Sequence, residues 1–288
     1  FWHPAKIIPE FYERECSLYF EFHQGKERIL DEKYKLFFKN IPLKKGKLLD
    51  IGCGDGFFLF EAQKIGFEVY GVDIDKKSIA VAKNKYGLKN VYPFFLKDFV
   101  QIASQKNLKF DIITAFDVLE HQDDPKSFLE DIKFLLKPGG YFIGTVPNSE
   151  RFLANLERKY LFGDWPPHHF LWISKRSLFY FLKERNFTQI HIQPVRISLF
   201  KFCNETSALF TKCFRNFVIK SVIKKTKEMD EKEIGILKIE DLAGKKFELL
   251  FSFLKIIRNL ILFPFVLCLY FFIPSRYKFS HIYFEAKL

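Results

Sequence analysis

Cysteine pairs are missing from this chain: five cysteines (Cys16, Cys53, Cys203, Cys213 and Cys268) lie far apart in 288 residues and form no C-x-x-C motif. That excludes a disulfide framework and a cysteine-based zinc site, and it fits a reducing, cytoplasmic compartment. No basic stretch followed by an apolar one opens the chain, so no secretory signal is expected, although a start on Phe1 rather than Met leaves room for residues ahead of it. Methionine occurs once against 38 phenylalanines, an imbalance that an AT-rich coding sequence explains without any function. The apolar run Leu260–Ile273 has 14 uncharged residues interrupted by Pro264, short of the ~20 that a bilayer-spanning helix needs.

What is present is a positive charge, net +12, spread unevenly. Residues 196–288 hold 17 Lys and Arg against 9 Asp and Glu, net +8, so two thirds of the excess lies in the last third. Such a region can meet nucleic acid or an anionic membrane surface, and a solvated face of Lys-rich helices explains it equally well. Nucleic acid is disfavoured, because the basic residues are interleaved with apolar ones and no Asn/Asp-Pro-Pro-Tyr amino-methylating motif follows the fourth apolar run.

With 48% hydrophobic residues a sizeable core is available. From Lys47 to Val146 short apolar runs alternate with helical patterns, the signature of βαβ units on a largely parallel sheet. Strands are expected at Lys47–Ile51, Glu68–Val72, Val91–Phe95, Asp111–Phe116, Tyr141–Val146, Thr188–Val195 and Ser280–Ala286. Helices are expected at Phe57–Ile65, Lys76–Lys85, Pro125–Leu136 and Ser174–Arg185, with Pro138-Gly139-Gly140 as a turn ending the third and Ser174 as an N-cap. The chain then divides into a helical cap (1–46), an α/β core (47–196), a long helical apolar insertion (197–279) and a final core strand (280–288). Within the insertion, Phe247–Ile257 and Leu260–Ile273, flanked by Lys255, Arg258, Arg276 and Lys278, read either as a buried helix or as an interfacial membrane element over 247–278.

Chemistry concentrates at strand ends. Leu48-Leu-Asp-Ile51 runs into Gly52-Cys-Gly-Asp-Gly56, a strand-to-helix turn whose glycines let backbone approach a ligand closely. The spacing is G-x-G-x-G, with Phe57 where a dinucleotide fingerprint carries its third glycine, which argues against NAD. The second strand ends in Gly71-Val-Asp73, offering a carboxylate to ribose hydroxyls, and Lys97-Asp98-Phe99 offers a carboxylate and an aromatic wall further along the sheet edge.

This ordered set resembles the class I S-adenosylmethionine-dependent methyltransferases over about Lys47–Val195 and the last strand. The resemblance implies a Rossmann-like, seven-stranded, mostly parallel sheet with an antiparallel last strand. It also implies a cofactor bordered by Asp50, Gly52 and Gly54 at its methionine part, by Asp73 at the ribose and by Asp98 with Phe99 at the adenine, with Cys53, Ile74 and Phe116 as further cofactor-binding residues.

Acceptor chemistry falls to Phe116-Asp-Val-Leu-Glu-His121, where His121 is the natural general base. The run is similar to that of the ubiquinone-biosynthesis O-methyltransferases, which implies a divalent cation on Asp117, Glu120 and His121. A second cluster, Asp164-Trp-Pro-Pro-His168-His169-Phe-Leu-Trp172, resembles a stretch of glycan-pathway methyltransferases, and it adds His168 and His169 as acceptor-contacting or basic residues. The expected activity is O-methylation of a glycan, lipid-linked or isoprenoid-type acceptor, peripheral to the inner face of a membrane. The alternative is a non-catalytic cofactor-binding or membrane-adapter protein of the same fold, against which the intact Asp73 and His121 speak.

Overall fold

The computed structural model describes residues 29–160, 164–166, 168–196, 198–227 and 262–288, the side chains of 214–227 and of Arg276 aside. The chain forms two compact units. One comprises 1–149, 165–196 and 279–288, the other 150–164 and 197–278.

The first unit is built on a seven-stranded sheet in the order β3-β2-β1-β4-β5-β7-β6. Its strands are β1 (Gly46–Ile51), β2 (Phe67–Val72), β3 (Val91–Tyr92), β4 (Phe110–Phe116), β5 (Leu136–Pro147), β6 (Thr188–Pro194) and β7 (His281–Lys287). Strands β1 to β5 pair in parallel, and β7 slots between β5 and β6 antiparallel to both. This is the α/β, Rossmann-like sheet expected.

Alternate residues of the central strands feed two cores. On one face Leu48, Val69, Ile112 and Ile143 pack with Phe37, Phe58 and Leu59. On the other, Leu49, Tyr70, Ile113 and Phe142 pack with Phe99, Leu129 and Ile132. Covering both faces leaves no polar alternation in the strands, which is why they read as continuous apolar runs. The helices supplying these residues are α1 (Glu32–Asn40), α2 (Phe57–Lys64), α3 (Lys76–Tyr86), α4 (Leu96–Gln105) and α5 (Pro125–Leu135).

Three local expectations are corrected. Strand β3 stops at Tyr92, because Pro93 has no N–H to continue the ladder. Helix α4 then starts at Leu96 without a side-chain cap, so Asp98 and Phe99 belong to its first turn rather than to a strand-end loop. Pro138-Gly139 lies within β5, where a register shift opposite Phe110 and Ile112 accommodates it, and the strand opens directly from α5. Ser174 caps α7 (Lys175–Lys183) through a reciprocal pair with Ser177.

The second unit contains α6 (Ala154–Tyr160), α8 (Leu199–Lys227) and α9 (Phe263–Tyr270). Phe202, Cys203, Val266 and Ile273 form its small core. Of the apolar insertion, Phe247–Ile257 and Leu260–Ile261 lie outside the described residues, as do residues 1–28 of the N-terminal cap. Among the described residues no helix is long and apolar enough to cross a membrane.

Candidate active site

At the carboxyl ends of β1, β2 and β4 a cavity of about 240 Å³ opens. Gly52, Asp73 and Ile74 line one part of it, Phe94, Phe95 and Leu96 a second, and Phe116, Asp117, Val118, His121 and Gln122 a third. Its floor is the turn after β1. The N–H groups of Gly52 and Cys53 both donate to Val72 O, at 2.8 and 3.1 Å, folding the turn tightly over the end of β2. Gly52 has φ +70°, and a Cβ there would come within 2.6 Å of a Val118 methyl, so only glycine fits.

Asp73 ties this turn to the next one. Its Oδ2 accepts from Gly54 N (2.8 Å) and its Oδ1 from Asp75 N (2.8 Å). Each oxygen keeps a further lone pair for a ligand at the cavity rim. Burial raises its pKa, and those two N–H groups act against the rise. Asp50, one turn earlier, is 3% exposed and accepts from Thr114 Oγ1 at 2.7 Å. Burial pushes its carboxyl up to about 7, with Thr114 and Lys33 pulling the other way.

Lys33, on α1, is a site residue that sequence reasoning missed. Its ammonium lies 2.6 Å from Asp117 Oδ2, while Thr145 Oγ1 donates to Asp117 Oδ1 at 2.7 Å. Burial opposes the Asp117 charge, but Lys33 and then His281 outweigh it and hold the carboxyl well below its usual range. Asp117 adopts φ +59°, a left-handed conformation that costs a non-glycine residue about 1–3 kcal/mol and is held here by these partners. The only advance sign of Lys33 was a basic residue in an amphipathic helix, which says nothing of its partner.

The histidines converge. After β4 a single 3₁₀ turn (Leu119–His121) presents Glu120 and His121. The N–H groups of Phe170 and Leu171 both donate to Glu120 O, at 2.8 and 3.2 Å, which hangs the 168–171 segment against this turn. The ring centroid of His169 thereby lies 4.9 Å from that of His121, and the His168 ring stacks on His169 at 4.6 Å. His121 Nδ1 lies 2.5 Å from His168 O, a contact that requires Nδ1 to carry the proton and puts the lone pair of the neutral ring on Nε2. Burial, then His169, lowers its pKa to about 4, so the ring is neutral near pH 7.

Not every expected residue reaches the cavity. Asp98 is exposed on α4, and Phe99 is fully buried between Tyr92 and Phe110, because the helix turns both away. Phe94, Phe95 and Leu96 stand at the rim instead. The Cys53 thiol faces the core against Gly71, and burial raises its pKa. Asp50 and Gly54 do not line the cavity. Of the expected cation ligands, Asp117 is committed to Lys33 and Thr145; ligand atoms of Glu120, His121 and His169 all lie within 4.8 Å of one another. Asp164 pairs with Arg151 and Arg158 at 2.8 and 3.1 Å. Trp172 lines a separate cavity of about 240 Å³ with Leu119, Leu171 and Phe181, and Trp165, 42% exposed, packs edge-on against it with ring centroids 4.9 Å apart.

Residues 22–192, more than half of the chain, match the methyltransferase-domain family. The ubiquinone biosynthesis O-methyltransferase of Coxiella burnetii is 34% identical over 115 residues, 40% of this chain and 49% of that protein. A protein of the same name from Proteus mirabilis is 27% identical over 166 residues, 52% of this chain and 66% of that one. The chain thus spans about half the length of the Coxiella relative. Among solved structures, an S-adenosylmethionine-dependent methyltransferase from Archaeoglobus fulgidus superposes with a TM-score of 0.52 at 18% identity, over 94% of this chain and 99% of that one, sharing the fold. The family match over the sheet and its glycine turn identifies the chain as a member of the methyltransferase-domain family, of the class I S-adenosylmethionine-dependent type.

Proposed function

We propose that this protein transfers a methyl group to a hydroxyl of a glycan, lipid-linked or isoprenoid-type acceptor. The observation that carries the reading is one cavity lined by Gly52 and Asp73 at one side and by His121 at the other. S-adenosylmethionine supplies an electrophilic methyl on its sulfonium. The residues fit that group: the Gly52 backbone leaves no room for a Cβ but admits close approach, and Asp73 retains lone pairs for two ribose hydroxyls. Asp50, buried at the end of β1, would lie toward the methionine end, and Phe94, Phe95 and Leu96 would offer an apolar slot for the adenine.

Because transfer from a sulfonium is an in-line displacement, the protein mainly aligns acceptor with methyl and excludes water. Phe116, Phe128 and Val118 supply the apolar walls that do so. His121 accepts the acceptor proton at Nε2 while its Nδ1–H stays on His168 O. The relatives' name, ubiquinone biosynthesis O-methyltransferase, supports an isoprenoid-type acceptor.

Calorimetric titration with S-adenosylmethionine, S-adenosylhomocysteine and NAD tests the cofactor half. The first two are expected to bind and NAD not. Asp73→Ala should weaken binding by roughly 10- to 100-fold, the loss of charged hydrogen bonds of about 1.5–3 kcal/mol. His121→Ala should leave binding intact and lower turnover. Unchanged affinity in Asp73→Ala would show that the ribose lies elsewhere.

A further inference from the structure

We propose that the apolar cavity beside Trp172 is a second binding site, which holds a compact hydrocarbon group of the acceptor. Three segments of the first unit meet around its volume of about 240 Å³. Leu119 and Pro125 bound it from the stretch after β4, Leu171 and Trp172 from the stretch after β5, and Leu178 and Phe181 from α7.

The lining decides the chemistry of the occupant. Apart from the Trp172 indole its polar side chain is Ser177, whose hydroxyl donates to Ser174 O at 3.0 Å and accepts from Ser174 N at 2.8 Å, so it is already engaged in capping α7. A sugar placed there would give up hydrogen bonds to water and find few replacements. A hydrocarbon gains the dispersion contacts that a dry void withholds from its walls. Since an apolar cavity of about 150 Å³ takes benzene, this one has room for roughly six to ten carbons.

The group is assigned to the acceptor because the two cavities share a wall. Val118, His121, Gln122 and Phe128 face the first cavity, while Leu119 and Pro125, in the same stretch of chain, face the second. Leu119 and His121 stand two residues apart on one 3₁₀ turn, about 4 Å along its axis. Leu171 is tied to that turn by its N–H bond to Glu120 O. A hydroxyl at His121 and an apolar group beside Leu171 therefore fall within the span of one small molecule. That assignment, unlike the binding itself, rests on the methyl-transfer reading, and it selects acceptors with a ring or branched chain close to the reacting hydroxyl.

The test is titration of the full chain with tert-butylbenzene, a probe without a hydroxyl, read by calorimetry and by tryptophan emission, since Trp172 lines the site. S-adenosylhomocysteine binding is measured in parallel as a check of the fold. The probe is expected to bind saturably. Ser177→Leu, which fills the cavity and leaves the Ser174 Oγ bond to the backbone N–H of position 177, should weaken it at least tenfold, as should Leu171→Phe. Absence of saturable binding in a chain that binds S-adenosylhomocysteine overturns the proposal, and so does undiminished affinity in the two folded variants. For the acceptor, 4-tert-butylcatechol is expected to bind the S-adenosylhomocysteine complex at least tenfold more tightly than catechol, an advantage that Ser177→Leu removes. Equal affinity for the two catechols in the parent chain overturns the assignment to the acceptor. Probe binding that follows the expected pattern in a chain that ignores S-adenosylhomocysteine upholds the site and removes only its role in methyl transfer.

Discussion

Asp50 is a carboxyl placed where charge is costly. Burial raises its pKa from 3.8 to about 7, and the groups that face it, Thr114, Lys33 and Asp73, do not reverse that. A folded-state pKa above the unfolded one means that the folded state is penalised as pH rises from about 4 through 7. Asp50→Asn keeps a partner for Thr114 and removes the penalty, so the cofactor-free variant should be more stable than the parent at pH 8, by on the order of 2–4 kcal/mol. The gain should shrink as pH is lowered to 4, and cofactor affinity should fall at pH 8. Thermal unfolding at the two pH values decides it, and an equal gain at both would mean that Asp50 is not the titrating group. At this scale the sequence was most legible where a residue type has one physical use. Gly52 and Asp73 were recognisable because a tight strand-to-helix turn and a strand-end carboxylate have characteristic spacings. Lys33 was not, since it acquires its role from Asp117, a partner 84 positions away. Phe99 misled for the opposite reason: an aromatic beside a carboxylate fits a binding wall and a helix core equally, and only its place in α4 decides.

Elements position the site through the close approach of β4 and β5. Ala115 faces Gly144 across that pair, and a Cβ on Gly144 would fall on the Ala115 carbonyl oxygen. Backbone cannot swing aside as a flexible side chain does. Gly144→Ala should therefore cost about 1–3 kcal/mol or more, as overpacking does, and should also shift the turn that carries Asp117 and His121. Urea unfolding measures the first effect, and an unchanged midpoint would show that the strands part easily. The parallel strands were legible because burial on both faces turns them into apolar runs between glycine-rich turns. Helix α4 was not, because it starts without a polar cap just after Pro93, where the chain reads as a loop. The β5 start was hidden by Pro138-Gly139, which normally punctuates a chain and here is absorbed by a register shift.

At the scale of the whole molecule the order of the parallel strands follows from the repeated βαβ pattern, whereas β6 and β7 are antiparallel neighbours that a short hairpin could join, so the long return of the chain before residue 281 is an addition the sheet does not require. That return carries most of the excess positive charge, 17 Lys and Arg against 9 Asp and Glu over residues 196–288. It also exposes Phe265, Phe271 and Phe272, the last at 84%, while no described helix could cross a bilayer. Basic charge with exposed aromatics fits attachment to an anionic surface. The full chain is therefore expected to co-sediment with vesicles containing phosphatidylglycerol and not with purely zwitterionic ones. Raising salt to 0.5 M should weaken the attachment by screening, and Phe271→Ser with Phe272→Ser should weaken it further at any salt, since those rings contribute through burial rather than charge. Attachment would favour a lipid-linked or isoprenoid-type acceptor, because only such an acceptor must be met at a surface. If the chain ignores anionic vesicles while binding S-adenosylmethionine, the acceptor reaches His121 from water, and a free glycan or other small hydroxylated molecule becomes the substrate to test.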